Sequence, residues 1–105
     1  MTYDIRLTKR ADKDFSQLGK VEKQKAVQAL GKLKNEPYAG HTLFGKLSGV
    51  RSLEFSAPGG AYRAAYVVRE DLRRCVVFLV GPHENFYALA ERRYEALKKL
   101  QKPEA

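Results

Sequence analysis

Four side chains in this 105-residue chain are of the kinds that move protons and hold phosphates: Glu54, Arg63, His83 and Tyr87. A histidine titrates near neutral pH and can give or take a proton. An arginine clamps a phosphate with two parallel donors and stabilises the extra charge of a pentacoordinate transition state. A carboxylate can act as base, and a tyrosine can orient a phosphate, stack on a base or hold a proton. This set suits RNA cleavage: a base takes the proton of a 2′-hydroxyl, the oxygen attacks the adjacent phosphate, and an acid protonates the departing 5′-oxygen. The product is a 2′,3′-cyclic phosphate. Each residue also has a structural use. His83 can cap a helix, Tyr87 can be core, and Arg63 can pair with Glu54 across two strands.

The elements that must position these residues follow from local pattern. Between Leu47 and Tyr87, three runs rich in Val, Ala, Tyr, Phe and Leu are split by the turn clusters Ala57-Pro58-Gly59-Gly60 and Glu70-Asp71-Leu72. They predict a three-stranded antiparallel meander over 50–57, 61–69 and 74–80. Strand parity puts Leu53 and Phe55 on one face and Ser52, Glu54 and Ser56 on the other. Arg63, Ala65, Val67 and Arg69 share one face of the next strand, and Tyr62, Ala64, Tyr66 and Val68 the opposite one. The third run is apolar throughout, as in a central strand, and the Cys75 within it reads as a small buried hydrophobe.

Ahead of the meander, Tyr3, Ile5 and Leu7 alternate with charged residues and predict a short strand over 2–7. Thr8 caps a helix from 9 to 18, which Gly19 is expected to close. A second helix over 21–34 has Ala26, Val27, Leu30 and Leu33 as its buried stripe, giving an antiparallel hairpin. The stretch 35–46 reads as irregular, with Leu43 and Phe44 anchoring it to the core. A C-terminal helix over 85–101 repeats Phe86, Ala90, Arg93, Tyr94 and Leu97 at helical spacing, and 102–105 should fray. If a helical turn begins at His83, that residue and Tyr87 share one face. The expectation is an α+β fold in one domain, 1–105.

Twenty Lys and Arg against twelve Asp and Glu give a net charge of +8 and a pI of about 9.7. So basic a domain favours a polyanionic partner, nucleic acid or an acidic protein segment. Residues 1–50 carry mostly lysine and 51–105 mostly arginine, which makes the sheet half the better place for phosphate contacts. No run of about 18 apolar residues exists for a membrane span. A lone cysteine without metal-ligand companions fits a reducing, cytoplasmic setting.

Several strings, in this order, resemble the RelE/ParE superfamily of type II toxins. They are Leu18-Gly19 at the hairpin, Lys46-Leu47-Ser48-Gly49 entering the sheet, Gly60-Ala61-Tyr62-Arg63-Ala64-Ala65-Tyr66 in the meander, and Val80-Gly81-Pro82-His83-Glu84-Asn85-Phe86-Tyr87 after it. The resemblance implies a RelE-like fold and a ribosome-dependent endoribonuclease that enters the A site and cuts mRNA without a metal or cofactor. It carries over Arg63 as the phosphate-stabilising residue, His83 in proton transfer and Tyr87 as the accompanying aromatic. It implies a cognate antitoxin as partner, acidic and partly disordered, with the toxin as monomer or toxin–antitoxin hetero-oligomer. Where RelE-type members have lysines on the first meander strand, this chain has Ser52 and Glu54. That makes Glu54 the candidate base, with Lys46, Arg51 and Arg69 as candidate RNA-binding cations. ParE-type members, which inhibit DNA gyrase by protein contacts, are the alternative, and an inactive homologue is a further one.

Overall fold

A computed structural model describes residues 2–82 and 84–101. Five strands, β1 (Asp4–Leu7), β2 (His41–Thr42), β3 (Arg51–Ala57), β4 (Gly60–Arg69) and β5 (Arg74–Pro82), form one mixed sheet. Its order is β1-β5-β4-β3-β2, with β1 parallel to β5 and the other neighbours antiparallel. Helices α1 (Lys9–Ser16) and α2 (Lys20–Gly31) form the hairpin, and α3 (Phe86–Gln101) follows β5. The α+β architecture is the one expected, with β2 as an added edge strand where irregular chain was expected.

Each sheet face has its own core. Ala11, Leu30 and Leu33 from the hairpin region pack with Tyr66, Cys75 and Val77 on one face. Phe86, Ala90 and Leu97 of α3 pack with Ala65, Val67 and Phe78 on the other. Leu53 and Phe55 join the hairpin side, as their parity predicts. Burying a side chain the size of Phe86 contributes about 1.5–3 kcal/mol, and Phe86 is the residue that seats the start of α3.

Thr8 caps α1 as expected, its Oγ1 accepting from the Ala11 amide at 3.2 Å. Gly19 does not end α1. It is the N-cap of α2 with extended backbone (φ −67, ψ 167), and α1 stops at Ser16. Ala26, Leu30 and Leu33 of the expected stripe are buried, but Val27 is 58% exposed and Ala29 is buried instead. After Gly31 the helix tightens into a 3₁₀ turn over Lys32–Lys34. Gly40 is required by close approach. A Cβ there would lie 2.8 Å from the Tyr66 ring, whose hydroxyl accepts from the Gly40 amide and donates to Pro37 O, both at 2.8 Å.

One irregularity in β5 sets what lies beyond it. Tyr66 faces Val77 and Ala65 faces Leu79, so Phe78 is left over as a bulge. Phe78 and Leu79 therefore both join the α3 core, and Gly81 comes opposite Arg63. β1 ends at Leu7, opposite Val77, and side chains take over the open edge of β5. Asp14 accepts from the Val80 amide at 3.1 Å, and Arg93 donates to Phe78 O at 3.1 Å. The two side chains form a bidentate ion pair, with one contact at 3.0 Å. It ties α1 to α3 across the end of the short strand.

Candidate functional site

Glu54 and Arg63 are direct partners in the β3–β4 ladder and lie on the face that α3 covers. Their pairing is the ordinary consequence of opposite charges across an antiparallel register. Arg63 Nη2 is 2.9 Å from Glu54 Oε2. Arg63 Nη1 donates to the Tyr87 hydroxyl at 2.9 Å, and the guanidinium carbon is 5.6 Å from the Tyr87 ring centre. The arginine side chain is only 18% exposed against 52% for the glutamate. With both terminal nitrogens engaged, buried Nε has no partner among the described residues.

Tyr87 comes from the first turn of α3. Its neighbour Phe86 is buried and meets it edge-on, ring centres 5.6 Å apart. The tyrosine itself stays exposed, so it belongs to the surface and not to the core. The C-terminal helix expected over 85–101 is present and starts one residue later. Asn85 has φ 54, the left-handed conformation that asparagine tolerates, and α3 begins at Phe86. His83 lies outside the described residues.

The three cations expected to bind RNA do not gather around Arg63. Lys46 is exposed on a 3₁₀ turn, Gly45–Leu47, that precedes β3. Arg51 has the parity of Leu53 and points to the opposite face, where Nη1 donates to Tyr38 O at 2.9 Å and Gly40 O at 2.8 Å. Its guanidinium also sits 4.9 Å from the Tyr38 ring centre, and the nearby Glu70 carboxylate pushes the Tyr38 hydroxyl's pKa up. Arg51 thus braces the loop that leads to β2. Arg69 shares the face of Arg63 but stands six residues along β4, roughly 20 Å away. It pairs with Asp71 at 3.2 Å and holds that carboxyl below its usual range.

Two features escaped the pattern reading. Ser52 is buried, not exposed, and its Oγ lacks a partner among the described residues. The Asp14–Arg93 pair, which fixes α3 and through it Tyr87, links residues 79 apart. Its one signal was an arginine inside the apolar stripe of a helix, a position that demands a buried counter-charge.

The site is an open surface. A groove of about 510 Å³ runs along the β5 edge past Gly19, Tyr62, Gly81 and Pro82, but Glu54, Arg63 and Tyr87 do not line it. Enclosed small-molecule binding is not what this arrangement provides; it can meet a polymer laid across the sheet. Among the described residues no cluster of His, Cys, Asp and Glu is arranged to hold a metal ion, and no helix is long and apolar enough to cross a membrane. Burial pushes the Cys75 thiol up to about 11, which leaves it inert at neutral pH.

Solved toxin structures share this fold. A free double mutant of E. coli toxin RelE superposes with a TM-score of 0.74 at 20% identity, over 92% of this chain and 99% of that one. The toxin–antitoxin complex RelBE2 from Mycobacterium tuberculosis gives 0.63 at 30% identity, over 77% and 98%. The intact E. coli RelBE complex gives 0.65 at 20% identity, over 78% and 98%. No curated protein sequence matches the chain. The model of the ParE-like toxins of type II bacterial toxin–antitoxin systems matches residues 5–91, and the chain belongs to that family.

Proposed function

We propose that this toxin is a ribosome-dependent mRNA endoribonuclease centred on Glu54, Arg63, His83 and Tyr87. The observation that carries the reading is the chain of contacts Glu54–Arg63–Tyr87, a carboxylate and a phenol on one guanidinium, at an open sheet surface. The scissile phosphate takes the place of Glu54 on Arg63, exchanging one anion for another. The released carboxylate accepts the proton of the 2′-hydroxyl, whose oxygen then attacks phosphorus. Arg63 stabilises the charge that develops on the phosphorane oxygens. The P–O5′ bond breaks, and the 5′-oxygen takes its proton from His83, leaving a 2′,3′-cyclic phosphate. Tyr87 holds Arg63 in register throughout. Lys46 remains placed to meet a phosphate outside the cleavage point, whereas Arg51 and Arg69 act in the fold. The partner is a cognate antitoxin, in keeping with the toxin–antitoxin complexes that share the fold, and the setting is the cytoplasm.

A second reading is favoured by the family description itself, which is ParE-like: inhibition of DNA gyrase through protein contacts. Purified toxin added to mRNA-programmed ribosomes, and separately to a gyrase supercoiling assay, divides the two. Fragments ending in a cyclic phosphate with gyrase untouched are expected. Loss of supercoiling with intact mRNA would replace the nuclease reading by the second one.

A further inference from the structure

Phe44 is 84% exposed, against the expectation that it anchors the core, yet the chain on both sides of it is fixed. Leu43 packs against the α3 core and donates its amide to Val50 O at 3.1 Å, and Leu47 is buried. Between them the turn closes with Leu47 N to Phe44 O at 3.2 Å and Ser48 N to Gly45 O at 3.0 Å. Gly45 takes φ 64, a conformation glycine adopts without strain. The ring is thus displayed by ordered backbone and gives up the burial a core phenylalanine gains.

Its surroundings select the occupant. Its neighbours along the chain, His41, Thr42, Gly45 and Lys46, are all exposed and polar or small, and the adjoining Leu43 is half-buried against the α3 core, so these flanking residues do not widen the ring into the broad apolar face a protein partner covers. The turn is tethered to α3, Ser48 O accepting from the Tyr94 hydroxyl at 3.2 Å. Lys98 places its ammonium 4.7 Å from the Tyr94 ring centre. Tyr94 follows Tyr87 by seven residues, roughly 10 Å along the helix. An exposed aromatic ring and the Lys46 ammonium therefore stand on a turn tethered to the helix that carries Lys98 and the Tyr87 of the Arg63–Tyr87 contact, in a chain of charge +8. A polyanion that carries planar rings matches that combination.

We propose that Phe44 is a stacking platform for an unpaired base of single-stranded RNA, with Lys46 and Lys98 taking the flanking phosphates. The inference rests on the nuclease reading, because the same strand is to reach Arg63. It makes the turn before β3 a second contact point that holds the message beside the cleavage point.

The chain has no tryptophan, so Phe44→Trp supplies a lone indole as reporter. Its fluorescence is titrated with a hexauridylate and, separately, with inorganic tripolyphosphate. Saturable quenching by the oligonucleotide alone is expected. With a labelled oligonucleotide, Phe44→Leu should bind on the order of tenfold more weakly, while Phe44→Tyr binds as wild type. Equal quenching by tripolyphosphate, absence of oligonucleotide binding, or wild-type affinity in Phe44→Leu overturns the platform. Saturable quenching in a toxin that cuts no mRNA keeps the platform and removes the nuclease. Cleavage together with unchanged Phe44→Leu affinity does the reverse.

Discussion

Arg63 and Glu54 face each other across the β3–β4 ladder, Nη2 to Oε2 at 2.9 Å. The guanidinium expected to hold a phosphate is already occupied by a carboxylate. That relationship is both a plain cross-strand ion pair and, in the proposed mechanism, a base held beside the position its substrate will take. The two roles separate on mutation. Glu54→Gln keeps the shape and a hydrogen-bond acceptor but cannot take a proton. Cleavage of reporter mRNA should fall by about 10²–10⁴-fold, the usual worth of a general base. Unchanged or faster cleavage would mean that Glu54 only masks Arg63.

Tyr87→Phe removes the hydroxyl that accepts from Arg63 at 2.9 Å and leaves the ring near the guanidinium. Loss of one hydrogen bond predicts roughly three- to tenfold slower single-turnover cleavage. Because Tyr87 is exposed, the urea midpoint should scarcely move. A large drop in stability would place Tyr87 in the fold and not in the site.

Asp14 and Arg93 are 17% and 13% exposed at the side chain and complete the open edge of β5. Asp14→Ala leaves Arg93 without its anion and the Val80 amide without its acceptor. Breaking a largely buried pair costs about 3 kcal/mol, read as a lower urea midpoint at unchanged slope. A change within ~0.5 kcal/mol would mean that α3 is held by its apolar contacts alone.

Cys75 adds a pH dependence of definite sign. Its folded pKa is raised by burial from 9.0 to about 11, so the folded state keeps a proton that the unfolded chain loses. The stabilisation is fully present below pH 9 and is lost as pH rises from there through about 11. Cys75→Ala should flatten the stability profile over that window, and a thiol reagent at pH 7 should label the wild type only on unfolding.

How much of this was legible in the sequence depends on how local each cause is. Thr8 caps α1 and Leu53, Glu54 and Phe55 take their faces because capping and strand parity act over a few residues. The Phe78 bulge shifts Leu79 to the α3 core and cannot be read from an all-apolar run, in which every parity looks alike. β2 escaped for a related reason, since two residues carry no period. Hydrophobicity alone puts Phe44 in the core, but Leu43 and Leu47 are the residues of this segment that pack there, and the Phe44 ring stays outside. Glu54, Arg63 and Tyr87 do converge, through the β3–β4 register and the start of α3. Arg51 and Arg69 do not, because parity turns one away and strand length separates the other.

The most direct test is primer extension on a reporter mRNA after inducing wild type and His83→Ala in a bacterial host. The account predicts cuts confined to translated regions in the wild type and their loss in the variant. Growth arrest with intact mRNA and an SOS response in the wild type would contradict it and point to gyrase.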